Sequence, residues 1–246
     1  LAAFGGGEID WDVGTALSEE VRRDGPILEH PVFSTHRSET DLLRSIHKLS
    51  SRDLSPTTSM IPLGSCTMKH NPRLNEKLAR LPGFADLHPM QPMETVQGSL
   101  ELIDTLADWL LTLTGMSAIA MSPAAGAHGE LCGLMCIRAA LEARGDPRQV
   151  VLVPTSAHGT NPASAIMANF KVVVVECDRH GNIDLDDLKS KTQQYRETLG
   201  ALMVTYPSTH GVFESQIREI CTLVHDAGGQ VYMDGANFNA MVGICL

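Results

Sequence analysis

The chain has 246 residues, of which 43% are hydrophobic and 20% charged, a balance found in ordinary globular proteins that excludes disordered and fibrous classes. Its formal charge is −10, from 19 basic and 29 acidic residues, and no cluster of Lys and Arg marks a nucleic-acid surface. No apolar run approaches the ~20 residues of a membrane helix, and the opening LAAFGGGEIDWDVG lacks the basic start and apolar core of a signal peptide.

Neither nucleic acid nor a membrane is therefore expected as a partner, and a cytoplasmic location is. The six cysteines, Cys66, Cys132, Cys136, Cys177, Cys221 and Cys245, are scattered, which suits free thiols in a reducing compartment. The first residue is not Met and the last residues, MVGICL, are apolar, so a piece of a longer chain is expected.

Residues 1–95 read as an irregular N-terminal segment. Helices are predicted over Glu19–Arg23, Glu39–Ser50 and Asn75–Leu81, separated by turns such as PTTSMIPLGSCTMKHNP (56–72) and LHPMQP (87–92). Residues 96–246 read as an α/β domain. Leu102, Leu106, Leu110 and Leu113 line one face of a helix over Leu102–Thr114, which Gly115 ends. A strand is predicted over Ala118–Met121. Leu131, Leu134, Met135, Arg138 and Leu141 then mark a second helix, stopped by Gly145 and Pro147.

The alternation continues with strand Val150–Val153, helix Asn161–Ala168, strand Val172–Glu176, helix Asp184–Arg196, strand Ala201–Thr205, helix Ser215–Ala227 and strand Gln230–Met233. Runs such as VVLV and VVVV suit strands covered on both faces, the condition of a parallel sheet with helices on either side. Such sheets bind ligands beyond the carboxyl ends of their strands. The segments there are PAAGAHGE (123–130), PTSAHGTNPAS (154–164), YPSTHGVFE (206–214) and DGANFNA (234–240), all rich in small or titratable residues.

Three of these segments can carry chemistry. AAGAHGE, a small-residue turn opening a helix, exposes backbone N–H groups at the positive end of the helix dipole. It is either an anion site or a plain tight turn, and it matches neither a P-loop nor a clean GxGxxG. Asp234, at the end of the strand QVYM, can bind a protonated heterocyclic nitrogen or cap a turn. His158 can stack on a flat cofactor, act as acid or base, or serve structure. No HxxxH or HxH spacing supports a metal site, and none is expected.

The stretches IPLGSCTMKHNPRLNE (61–76), LPGFADLHPMQPMETVQG (81–98), PAAGAHGEL (123–131), SAHGTNPASA (156–165), YPSTHGVFE (206–214) and HDAGGQVYMDGANFNAMVG (225–243) closely resemble the P-protein family of the glycine cleavage system, glycine dehydrogenase (decarboxylating). The resemblance is to its pyridoxal-bearing C-terminal half, or to the bacterial subunit 2. It implies a partial fold type I pyridoxal phosphate-dependent transferase domain, like the large domain of aspartate aminotransferase. The implied activity is decarboxylation of glycine with transfer of the aminomethyl group to the lipoyl arm of the H-protein. Implied partners are glycine, lipoylated H-protein and a partner subunit or half of the same enzyme, in the bacterial cytoplasm or, for a eukaryotic source, the mitochondrion.

Carried over residue by residue, the resemblance makes Ala125, Gly126 and Ala127 the phosphate turn and Asp234 the partner of the pyridinium. His158 lies against the pyridine ring as the candidate catalytic residue, with Ala236 on the opposite face. Thr160, Asn161 and Thr205 line the pocket. The family's Schiff-base lysine lies in a His-Lys pair beyond the DGAN motif, past Leu246, and Lys69, which precedes the phosphate turn, is not assigned that role. The 246 residues alone are therefore expected to be inactive. A non-catalytic scaffolding half, or another fold type I enzyme, is the alternative.

Overall fold

A computed structural model of the chain describes residues 18–55, 58, 72–238 and 241–244. Cys66, Lys69, Cys245 and the LGSCTMK string lie outside the described residues. The chain divides into two compact units, 1–61 and 62–246. In the first, a 3-10 turn at Glu19–Val21 replaces the predicted Glu19–Arg23 helix. After α1 (Val32–Thr35) comes α2 (Glu39–Ser50), with the predicted bounds. Ser38 starts α2: its hydroxyl accepts the Asp41 N–H at 3.2 Å, and Glu39 and Asp41 place negative charge in the first turn.

The second unit opens with α3 (Arg73–Ala79), two residues ahead of the predicted Asn75–Leu81, and α4 (Pro82–Ala85). Then come α5 (Gln97–Thr114) and α6 (Gly126–Ala143). Gly115 ends α5 with φ 67°, the left-handed conformation a glycine takes without cost. Of the predicted apolar face of α5, Leu102, Leu106 and Leu113 are exposed and Leu110 is half-buried, so no described residue covers it fully. The predicted strand Ala118–Met121 does not form. A strand needs a neighbour to complete its ladder of hydrogen bonds, and no described strand pairs with this segment.

From residue 150 the predicted alternation is what forms: β1 (Val150–Pro154), α7 (Thr160–Met167), β2 (Lys171–Val175), α8 (Leu185–Gln194), β3 (Leu199–Thr205), α9 (Ile217–Asp226) and β4 (Gln230–Asp234). The strands make one parallel sheet in the order β2-β1-β3-β4. Every residue of β1 and β3 is buried, which is why their sequences are continuously apolar. One face of the sheet, with Val150, Leu152, Leu202 and Val204, packs with Leu188 of α8 and with Ile220 and Val224 of α9. The other, with Val151, Val153, Ala201 and Met203, packs with Leu134 of α6 and Ala165 of α7. Helices thus cover both faces, and no described helix is long and apolar enough to cross a membrane.

Two contacts fix this arrangement. At the amino ends of the strands, Arg148 Nη1 donates to the carbonyls of Arg196, Leu199 and Ala227 at 2.9, 3.1 and 2.7 Å, and its Nε to Asp146 at 2.7 Å. Midway along β4, α6 lies close on the strand: a Cβ built on Gly133 would meet the Tyr232 ring at 2.5 Å. Burial pushes the Tyr232 phenol up to about 12, with the charges of Asp234 and Glu130 adding to the shift.

Because Gly133 leaves no room for a methyl group, Gly133→Ala should cost about 1–3 kcal/mol through overpacking. Gly129→Ala, whose Cβ meets nothing within 4 Å, should be neutral or slightly stabilising. Urea unfolding followed by circular dichroism measures both, and equal midpoints for the two variants would contradict the close packing of α6 on β4.

Candidate active site

The sheet order has a consequence for where a ligand fits. From β1 the chain passes outward through α7 to β2, then returns through α8 to β3 on the other side of β1. The point between β1 and β3 is where the direction of winding reverses, and open sheets bind their ligands beyond the carboxyl ends at such a point. Thr205 ends β3, and Asp234, its partner in register, ends β4. His158 lies in the turn after β1, directly before α7.

A short run of hydrogen bonds joins the strand ends. The His158 backbone N–H donates to Thr205 Oγ1 at 2.9 Å, and the same hydroxyl donates to Asp234 Oδ2 at 3.0 Å. Asp234 Oδ1 accepts the Ala236 N–H at 3.0 Å. Asn161, fully buried in the first turn of α7, has its amide satisfied when Nδ2 donates both to Asp234 Oδ2 at 3.2 Å and to Glu130 Oε2 at 3.1 Å. Asp234 is 5% exposed, and its three neighbours all donate, which is what a buried carboxylate needs.

Glu130 was not among the residues singled out from the sequence. It sits in the second turn of α6, 4% exposed, and accepts a hydrogen bond from Ser164 at 3.1 Å. Its other oxygen is 3.9 Å from His158 Nδ1, and that nitrogen accepts the Thr160 N–H at 3.3 Å. Burial pushes the Glu130 carboxyl above its ordinary value and the nearby Asp234 charge raises it further, while Ser164 and His158 oppose the rise. Its register with Leu134 and Leu141, the other buried residues of α6, is the sequence signal that it faces inward. The predicted stripe included Met135, which is instead 57% exposed.

The sequence-predicted residues fall into two groups. His158, Thr160, Asn161, Thr205, Asp234 and Ala236 converge at the strand ends through the contacts above. Ala125, Gly126 and Ala127 form the entry to α6 and are exposed. Ala125, the cap residue, has no side chain to satisfy the helix start, so the Gly126 and Ala127 N–H groups have no intrahelical acceptor. A Cβ on Gly126 would meet nothing within 4 Å, so a ligand can approach this backbone closely. Of the other loop histidines, His210 and His180 are exposed, as is His225 on α9.

Glu130, His158 and Asp234 each offer a ligand atom within 4.8 Å of the others. The nitrogen of His158 that faces Glu130 is already an acceptor, and both carboxylates hold donors. What the arrangement offers is a buried carboxylate at the strand ends, an imidazole 44% exposed, and free N–H groups at the start of a long helix. That combination suits a flat, anionic, heterocyclic ligand better than a bare cation.

Comparison with known proteins agrees with the motif-level resemblance. The chain is 52% identical over 240 residues to glycine dehydrogenase (decarboxylating) of Idiomarina loihiensis, a match that covers 97% of this chain and 24% of that protein. The chain thus spans about a quarter of the length of such relatives. No family model matches. Among solved structures, glycine decarboxylase (P-protein) of the glycine cleavage system, in inhibitor-bound form, superposes with a TM-score of 0.64 at 21% identity, over 94% of this chain and 49% of that one. Oryza sativa TDC with PLP and tryptamine gives 0.53 at 13% identity, over 85% and 58%. The fold is that of the fold type I enzymes, as the sequence led one to expect.

The raised Glu130 carboxyl makes stability depend on pH. The folded protein holds this proton more tightly than the unfolded chain does. The resulting stabilisation is complete below the ordinary value of 4.5 and is lost as pH rises through the raised folded value. Glu130→Gln has no proton to lose. Its stability relative to the wild type should therefore climb from pH 4.5 upward and then level off, as read from urea midpoints across that range. A difference independent of pH would contradict the buried carboxyl.

Proposed function

We propose that the chain is the cofactor-bearing part of a glycine dehydrogenase (decarboxylating), with pyridoxal phosphate seated at the carboxyl edge of the sheet. The carrying observation is the buried Asp234 carboxylate, supplied with donors by Thr205, Asn161 and Ala236. It lies on a fold, and in a sequence 52% identical to such an enzyme, where a ring nitrogen needs an anionic partner. The residues present fit the group: an open, uncapped helix start for its phosphate, a carboxylate for its nitrogen, and a half-exposed imidazole for its ring face.

In this reading the Ala125, Gly126 and Ala127 turn binds the phosphate through backbone N–H groups and the dipole of α6. Asp234 holds a proton on the ring nitrogen. His158 covers one face of the ring, with its backbone fixed by Thr205 and its ring nitrogen by Thr160, and Ala236 lies on the other face. Thr160, Asn161 and Thr205 complete the wall. Bound pyridoxal phosphate supplies an electron-accepting ring for the bond pair released when glycine loses CO2. Glycine is the substrate, lipoylated H-protein accepts the aminomethyl group, a partner half or subunit of the same enzyme completes the assembly, and the lysine that anchors the cofactor follows the DGAN motif past Leu246.

The test uses the full-length protein that carries this chain. With lipoylated H-protein it should exchange labelled CO2 into glycine in a pyridoxal phosphate-dependent way, and Asp234→Ala should lower that rate by at least about 100-fold, the scale of losing one preorganised electrostatic partner. Absence of exchange, or exchange unaffected by Asp234→Ala, would sink the proposal.

A further inference from the structure

Glu130 has no part in the roles above, yet it is as buried as Asp234 and is physically joined to it. A single amide bridges them: assigned in the orientation that satisfies its neighbours, Asn161 Nδ2 spends one hydrogen on Glu130 Oε2 and one on Asp234 Oδ2. An Asn side chain at the end of its χ2 torsion can present either its oxygen or its nitrogen to a neighbour. Asp234 by itself already favours the nitrogen inward, since its carboxylate only accepts and the Thr205 hydroxyl gives its hydrogen to Asp234. Glu130 on the far side takes the second hydrogen of that nitrogen, so the reverse orientation would set the amide oxygen against two carboxylates instead of one.

Ser164, one turn further along α7, donates to the same Glu130 oxygen and holds it in place for this purpose. Glu130 therefore anchors the Asn161 amide from its far side and fixes the plane in which its nitrogen meets Asp234. Resting on the pyridoxal phosphate reading, we propose that Glu130 is a positioning residue, which through Asn161 keeps a donor on the inner oxygen of Asp234 and so leaves the outer oxygen aimed at the ring nitrogen of the ligand.

The mechanism distinguishes hydrogen bonding from charge. A glutamine at 130 can keep its carbonyl oxygen where Oε2 now accepts from Asn161 and Ser164. Its NH2 then takes the place of the other carboxylate oxygen, 3.9 Å from His158 Nδ1. Glu130→Gln should thus preserve the Asn161 orientation, and Glu130→Ala should release it, leaving a buried N–H without an acceptor.

The experiment is a titration of the full-length apoprotein with pyridoxal phosphate, read by absorbance and by quenching of intrinsic fluorescence, together with thermal unfolding of each apoprotein. Wild type and Glu130→Gln should agree within about twofold in dissociation constant. Glu130→Ala should bind about tenfold or more weakly, the scale expected when a hydrogen bond to a charged group is lost. Asn161→Ala should show the same loss, and adding Glu130→Ala to it should weaken binding no further, as two members of one unit behave.

Should Glu130→Ala fail to fold, Asn161→Ala carries the test by itself, since wild-type binding by that variant leaves Glu130 nothing to act through. Equal losses for Gln and Ala would show that charge is what matters and overturn the proposal. So would a fall in melting temperature with an unchanged dissociation constant, or additive losses in the double variant. A wild-type protein that does not bind pyridoxal phosphate overturns the underlying functional reading itself, an outcome distinct from all of these.

Discussion

A carboxylate buried at the end of a strand cannot remain there without donors, and the way Asp234 obtains them organises the whole site. One comes from the end of the neighbouring strand β3, one from the first turn of α7, and one from its own loop. Thr205 and Asn161 are far from Asp234 in sequence and reach it because β3 pairs with β4 and lies between β4 and β1 in the sheet. The hydrogen-bonded cluster and the topology therefore require each other. An unpaired carboxylate would cost several kcal/mol, and a sheet in another order would not bring Asn161 and Thr205 to it.

The same logic explains the division of labour along the strands. Toward their amino ends the interior is apolar on both faces of the sheet, and Arg148 closes that end by taking up three carbonyls from separate segments. Polar groups are gathered at the carboxyl ends, where Ser156, Asn161, Ser164, Thr205, Ser208 and Asp234 are all buried. The close approach of α6 to β4 at Gly133 and Tyr232 couples the two regions. It sets the helix start, with its free N–H groups, and Glu130 one turn later beside the strand ends.

Much of the fold is legible in the sequence, because the βα alternation is written in local periodicity; Asp234 and His158, which taken alone read equally as a turn cap and a structural imidazole, become site candidates through their place after strand ends and the motif-level resemblance. The misses have physical reasons. The VVVV run looks as buried as VVLV, yet β2 is at the border of the sheet and Val174 is 47% exposed; strand order is a property of the whole chain, not of the run. Ala118–Met121 has the composition of a strand, but its existence depends on a partner outside its own neighbourhood. Glu130 was passed over because a helix Glu is ordinarily solvated, and only its phase with Leu134 and Leu141 shows otherwise. The N-terminal LGSCTMK string, distinctive as sequence, falls outside the described residues.

The central claim is that the carboxyl edge of this sheet forms one pyridoxal phosphate site built on Asp234. A crystal structure of the full-length protein soaked with pyridoxal phosphate tests it most directly. The account predicts the phosphate on the backbone of residues 125–127 and the ring nitrogen within about 3 Å of an Asp234 oxygen, the distance of a charge-assisted hydrogen bond. Ordered cofactor elsewhere, with the Asp234 carboxylate facing only protein, would contradict it.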